Sequence, residues 1–165
     1  WVLFVICNIL INCIFQKIRG IHMTLIRRKI GQKDYHKVLD IWEKSVISTH
    51  DFLKEKDRLE LKTEIPNYLN YVEAYFWCDE DEIIGFSGTN DQNLEMLFID
   101  PKYFRKGYGT KILQTLIHED KVRYVEVNKD NNNAVKFYQK NGFKKHKEAL
   151  KDEQGRDYPI YYLKI

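Results

Sequence analysis

The chain is 165 residues long, 44% hydrophobic and 31% charged, with a formal net charge of +3. That length and apolar content suit one globular domain with a real core. The mild charge, 27 basic against 24 acidic residues with no continuous Lys/Arg stripe, gives no reason to expect a nucleic-acid partner. The 3 cysteines make no disulfide framework, which points to a reducing compartment. The 5 histidines are scattered, never at i, i+4 with a carboxylate between them, and no metal site is expected.

Val2–Phe15 is strongly apolar but is interrupted by Asn8 and Asn12. It falls short of the roughly 20 residues that a spanning helix needs. Lys17 and Arg19 follow it, not a small-residue cleavage site. Residues 1–22 therefore read as an apolar extension outside the fold, with a short membrane anchor as the other reading. Because the basic residues follow the apolar run, even an anchor would leave the domain in the cytoplasm. No stable membrane insertion is expected, and the domain is assigned to residues 23–165.

From Met23 the pattern becomes regular. A strand is expected near Leu25–Ile30. Lys33–Ser48 has helical period, with Tyr35, Val38, Leu39, Trp42 and Val46 on one face. After Ser48–Leu53 a charged helix runs from about Lys54 to Tyr68, with an interruption expected near Pro66. Tyr71–Cys78 alternates as a half-buried strand does, setting Val72, Ala74, Phe76 and Cys78 against Tyr71, Glu73, Tyr75 and Trp77. Glu82–Thr89 and Leu94–Asp100 complete an antiparallel meander. A helix over Tyr108–His118 buries Ile112, Leu113, Leu116 and Ile117. The remaining elements are strand Val122–Val127, helix Asn131–Lys140, strand Phe143–Leu150 and strand Tyr158–Leu163. This order predicts a mixed α/β sheet in which Leu94–Val127 forms a parallel strand–helix–strand crossover.

The chemistry concentrates in Leu94–Leu113, a buried strand, an exit at Pro101, a basic Gly-x-Gly loop and an amphipathic helix. Such a loop at a helix N-terminus turns several backbone N–H groups outward, where helix polarity favours an anion. Gly107 and Gly109 allow close approach to the backbone, and Arg105, Lys106 and Lys111 add charge. Alone, the loop reads equally well as a tight strand-to-helix turn. It lacks the third glycine of a dinucleotide fingerprint and the Gly-Lys-Ser/Thr of a P-loop. The second segment that matters is Asn131-Asn132-Asn133-Ala134-Val135-Lys136-Phe137-Tyr138.

With Leu97-Phe98-Ile99-Asp100-Pro101 leading into Arg105-Lys106-Gly107-Tyr108-Gly109, and with the asparagine-rich segment downstream, residues 23–165 resemble the small bacterial type of the GNAT superfamily of N-acetyltransferases. The resemblance implies a GNAT-type fold, a mostly antiparallel sheet with a central parallel crossover flanked by helices. It also implies acetyl-CoA as cosubstrate and direct transfer of an acetyl group to a primary amine, on a protein or on a small molecule. A non-catalytic acyl-CoA-binding module of the same fold is the alternative. By resemblance, Leu97, Phe98 and Ile99 meet the pantetheine, Arg105, Lys106, Gly107, Tyr108, Gly109 and Thr110 meet the diphosphate, and Asn131 touches the cofactor. One departure is Phe104, where the family pattern has Gln or Arg.

A lysine-like amine is mostly protonated at neutral pH, so a base has to remove a proton. Glu95, on the strand that faces the thioester, is the candidate, with a solvated strand carboxylate as the plain reading. If Leu97 and Ile99 point into the core, Glu95 shares their side. The departing thiolate needs a proton, and Tyr138 matches the family's general acid by position. The plain reading is a packed helix tyrosine, but adjacent helix positions diverge and Phe137 is the better core residue. Asn131 also suits a helix cap. The acceptor pocket is expected to draw on His50 and Phe52, on Tyr71 or Tyr75, and on Tyr158. The protein is expected to be a monomer or homodimer.

Overall fold

The computed structural model describes residues 24–165; the apolar segment Val2–Phe15 lies outside the described residues. Seven strands form one sheet in the order β1-β2-β3-β4-β5-β7-β6. Strands β1 (Leu25–Lys29), β2 (Glu73–Asp79), β3 (Glu82–Asn90) and β4 (Asn93–Ile99) run antiparallel in succession. Strand β5 (Tyr124–Asn128) is parallel to β4, and β7 (Ile160–Lys164) inserts antiparallel between β5 and β6 (Lys144–Ala149). The mixed, mostly antiparallel sheet with one parallel crossover is the architecture expected from the sequence.

Helices cover both faces. Helix α1 (Tyr35–Thr49) buries Val38, Ile41, Trp42, Ser45 and Val46, the i, i+3, i+4, i+7, i+8 stripe of an amphipathic helix. With Ile65 and Leu69 from α2 (Glu55–Tyr68) and the turn after it, this stripe packs on Ala74, Phe76, Phe86 and Met96. On the opposite face α3 (Tyr108–His118) lays down Ile112, Leu113, Leu116 and Ile117. There they meet Trp77, Leu94, Val125, Val127, Phe143 and Leu163, together with α4 (Asn132–Lys140).

This double cover corrects the reading of β2 as half-buried. Phe76 faces the first cluster and Trp77 the second, and both are fully buried. The Trp77 indole N–H is satisfied inside by the Ser87 hydroxyl at 2.8 Å. The start of that strand also shifts. Leu69–Tyr71 forms a turn of 3-10 helix, Tyr71 is 76% exposed, and pairing begins at Glu73. Helix α2 runs unbroken through Pro66. Pro66 stands in the last turn, so the one intrahelical bond it removes lies near the helix end.

The geometry that positions the site arises in β4. On the β3 side Met96 pairs with Gly88 and Leu94 with Thr89, which leaves Glu95 as the extra residue of a β-bulge. The bulge resets the alternation, so Leu94 and Leu97, three residues apart, share the α3 face while Met96 and Phe98 share the α1 face. On the β5 side, parallel pairing is confined to Asn93 with Tyr124 and Leu94 with Val125. Beyond that pair the two strands separate, and the β5-facing edge of β4 carries peptide groups that no strand pairs.

Candidate functional site

A cavity of about 510 Å³ occupies this split. One wall is Leu97, Phe98 and Ile99 of β4; another is residues 103–105 and 107–110 of the turn that follows; the third is Asn131 with Asn133, Ala134, Phe137 and Tyr138 of α4. The last turn of α1 closes it with Ser45, Ser48, Thr49 and His50.

The floor is built from backbone. Asp100 caps the turn after β4 by accepting from the Lys102 N–H at 3.1 Å, and Pro101 starts that turn, where its missing N–H costs nothing. Arg105 and Gly107 both sit in the left-handed region, at φ 60° and 86°. Gly107 is the N-cap of α3 and has no side-chain capping bond. Among the described residues no hydrogen bond engages the N–H groups of Arg105, Lys106 or Gly107. The N–H groups of Tyr108, Gly109 and Thr110 lie in the first helical turn, where no intrahelical acceptor exists. The loop therefore leaves a run of N–H groups without acceptors among the described residues at a positive helix end, suited to a multiply charged phosphate ester. Tyr108 is anchored by donating to Asp79 at 2.7 Å, and its phenol pKa is pushed up to about 12 by that carboxylate and by burial. Lys106 is not a wall residue; its ammonium lies 5.4 Å from the centre of the Tyr103 ring, which is.

Asn131 caps α4, its Oδ1 accepting from the Ala134 N–H at 3.1 Å. One turn on, Tyr138 is 7% exposed and belongs to the α3-face cluster, whereas Phe137 is only partly buried. This corrects the expectation that Phe137 is the better core residue. Both line the cavity, with the rings 5.1 Å apart. Burial alone raises the Tyr138 pKa above that of an ordinary phenol. Its hydroxyl has no hydrogen-bond partner among the described residues, yet it is not a fully enclosed, unsatisfied polar atom. It opens on the cavity.

Glu95 is not on the cavity wall. The bulge turns it to the α2 face, away from the side of Leu97 and Ile99, where the Tyr68 hydroxyl donates to it at 3.1 Å. Burial and the Glu95 charge push the Tyr68 pKa up to about 12. Glu126 is the first residue past the last β4–β5 pair on the other strand, and its neighbours Val125 and Val127 face α3. Its carboxyl pKa is raised by burial and then by the charges of Glu153 and Glu95. Two carboxylates thus flank the apex of the split, on the face opposite Tyr138.

Of the residues expected at the acceptor pocket, His50, Phe52 and Tyr158 come together. The His50 and Phe52 rings lie 5.2 Å apart, and Phe52 meets Tyr158 edge-on at 6.3 Å. Only His50 reaches the cavity wall. The Tyr158 hydroxyl donates to Asp57 and accepts the Lys54 N–H at 3.2 Å, tying the β6–β7 connection to the start of α2. Tyr75 is not brought in. It lies on β2, two strands from β4, beneath the Arg27 guanidinium at 5.4 Å. Sequence reasoning missed Ser45, Ser48, Thr49, Tyr103, Phe104, Asn133 and Ala134. A signal existed for the first: a serine on the apolar stripe of α1, between Trp42 and Val46.

Residues 72–145 match the family described as an acetyltransferase (GNAT) domain. The peptidyl-lysine N-acetyltransferase YjaB of Salmonella typhimurium is 33% identical over 144 residues, which covers 86% of this chain and 98% of that protein. The solution structure of apo-form YjaB from Escherichia coli superposes with a TM-score of 0.78 at 29% identity, covering 86% of this chain and 97% of the other. The fold is also that of PaiA N-acetyltransferase from Thermoplasma acidophilum in complex with coenzyme A, with a TM-score of 0.61 at 19% identity, covering 87% of this chain and 100% of that one. The chain belongs to the GNAT acetyltransferase family and is an N-acetyltransferase.

Proposed function

We propose that the protein, a cytoplasmic enzyme whose catalytic domain is residues 23–165, transfers the acetyl group of acetyl-CoA directly to a primary amine, the side chain of a protein lysine. The observation that carries this reading is the split of β4 from β5 beyond Leu94, facing a left-handed loop at the N-terminus of α3. The unpaired edge of β4 at Leu97–Ile99 suits the amide-bearing arm of coenzyme A, which can dock as an added strand. The N–H groups of Arg105–Thr110 suit its diphosphate, and Asn131 contacts the cofactor from the opposite wall. Lys106, outside the wall, contributes charge. Among the described residues none is arranged for a thioacyl-enzyme route: Cys78 stands on β2, outside the cavity, and burial raises its thiol pKa.

Bound acetyl-CoA supplies an activated acyl thioester. The residues of the chain then bind, orient and move protons. Holding donor and amine together removes most of the entropic cost of their encounter. The amine enters from the α2 face, where Glu95 and Glu126 draw an ammonium towards the apex of the split. Glu95, off the wall, takes the proton through an intervening water. From the α3 face Tyr138, kept neutral by burial, offers its hydroxyl proton to the leaving thiolate. His50, Phe52 and Tyr158 border the acceptor entrance. The printed names of the YjaB relatives favour a lysine side chain over a polyamine or free amino acid.

Calorimetric titration with acetyl-CoA, with desulfo-CoA and ATP as controls, tests the first half of the reading; absence of saturable acetyl-CoA binding refutes it. Thiol release with a lysine peptide and with spermidine tests the second. Turnover on spermidine alone would overturn the protein-lysine assignment.

A further inference from the structure

Two segments 81 residues apart in sequence meet at the cavity through His50 and Asn131. Four contacts form one line. Thr49 Oγ1 lies 2.7 Å from the Ser45 carbonyl oxygen and 2.7 Å from His50 Nδ1; His50 Nε2 lies 3.3 Å from Asn131 Nδ2; and Asn131 Oδ1 lies 3.1 Å from the Ala134 nitrogen.

Both ends of this line are peptide groups, so every hydrogen in it has one possible placement. The Ala134 N–H can only donate, which puts the oxygen of the Asn131 carboxamide on it and the NH₂ on His50. That NH₂ can only donate, so His50 Nε2 carries a lone pair. The Ser45 carbonyl can only accept, so it takes the Thr49 hydroxyl hydrogen, and His50 Nδ1 must carry the ring proton and give it to Thr49. A flipped carboxamide would set NH₂ against N–H, and a protonated ring would set N–H against NH₂. The neutral Nδ1–H tautomer is the one solution.

From this we infer that His50 is a positioning residue, whose Nδ1–H tautomer locks the Asn131 carboxamide so that its second amide hydrogen is presented to the cavity as a donor for an acyl-CoA carbonyl. This inference rests on the acetyl-CoA reading above. It reassigns His50 from the acceptor side to the donor side, since both ring nitrogens are engaged within the fold. Burial, against a small opposing effect of Asp51, holds the ring pKa down at about 4, which keeps the required neutral form through physiological pH.

Ring-nitrogen NMR of the wild-type protein reads the tautomer directly, without ligand. A protonated Nδ1 with a bare Nε2 is expected; a protonated Nε2 overturns the inference. Acetyl-CoA affinity and steady-state kinetics read its consequence. His50→Phe keeps the ring contact with Phe52 but loses both hydrogen bonds. It is expected to weaken acetyl-CoA binding about tenfold, the scale of one well-made hydrogen bond, and to leave the KM for the amine unchanged. His50→Gln, which can still accept from Asn131, is expected to recover most of the loss. In an Asn131→Ala background, His50→Phe is expected to add nothing. A rise in the amine KM in place of the acetyl-CoA KM, or additive losses in the double variant, would refute the positioning role. Failure of the wild-type protein to bind acetyl-CoA would instead sink the functional reading, and the NMR result would still decide how Asn131 is held.

Discussion

The two halves of the cavity are built from different materials. The half proposed for the donor is largely backbone: the unpaired edge of β4, the left-handed turn through Arg105 and Gly107, and the first turn of α3. It comes from one continuous stretch of chain. The half proposed for the acceptor is made of side chains from segments far apart: Glu95 with Tyr68, Glu126 with Glu153, and the Phe52 and Tyr158 rings. Backbone donors keep their place through most side-chain substitutions and fail only where a side chain intrudes. A side-chain constellation is altered by any one of its members, each with a modest effect.

The largest effect should fall on the backbone half. Gly107→Trp places a bulky side chain on a residue at φ 86° and over the N–H cradle, and calorimetry should find acetyl-CoA binding reduced by more than about a hundredfold. A variant that still binds well would break the comparison outright. Next is Tyr138→Phe, a side-chain change at the junction of the halves. Thiol-release assays should show kcat lower by roughly 10²–10³, the usual worth of a positioned acid, with acetyl-CoA affinity within about twofold of wild type. Full activity at every pH would return Tyr138 to a packing role.

A third test uses stability. His50 has a folded pKa of about 4 against an ordinary 6.5. Between those values the unfolded chain binds the proton that the folded chain refuses, so this contribution is whole above pH 6.5 and is lost as pH falls towards 4. Urea unfolding should show up to about 3 kcal/mol less stability at pH 4 from this group, and His50→Phe should flatten that part of the profile. An unchanged slope would mean the ring is protonated in the folded protein. The smallest effect belongs to the carboxylates. Glu95→Gln should lower kcat/KM for the amine about tenfold and leave acetyl-CoA binding as it is, because Glu126 still supplies negative charge and the donor half is untouched. Loss of acetyl-CoA binding in this variant would show that the two halves are not separable.

The sequence by itself determined the elements that depend on local pattern. The stripes of α1 and α3, the hairpin order of β2–β4, and the Gly-x-Gly turn feeding a helix are read from neighbours in the chain, and the structure places them within a few residues of expectation. The turn proposed to hold the donor could be located for the same reason, since its peptide groups are contiguous. Tertiary structure alone decided the rest. Trp77 is buried because helices cover both faces of the sheet, which period-two alternation cannot reveal. Glu95 turns to Tyr68 because a bulge shifts the register against β3, and a bulge is a property of the pairing of two strands, not of either one. Tyr138 outranks Phe137 in burial because it packs into the α3-face cluster beside Phe143, a contact that the helical period of α4 alone does not reveal. The meeting of His50 with Asn131 is fixed only when α1 and α4 dock on either side of the split. Local propensity acts over a turn or a strand pair, whereas side chains brought together from distant segments are set by packing.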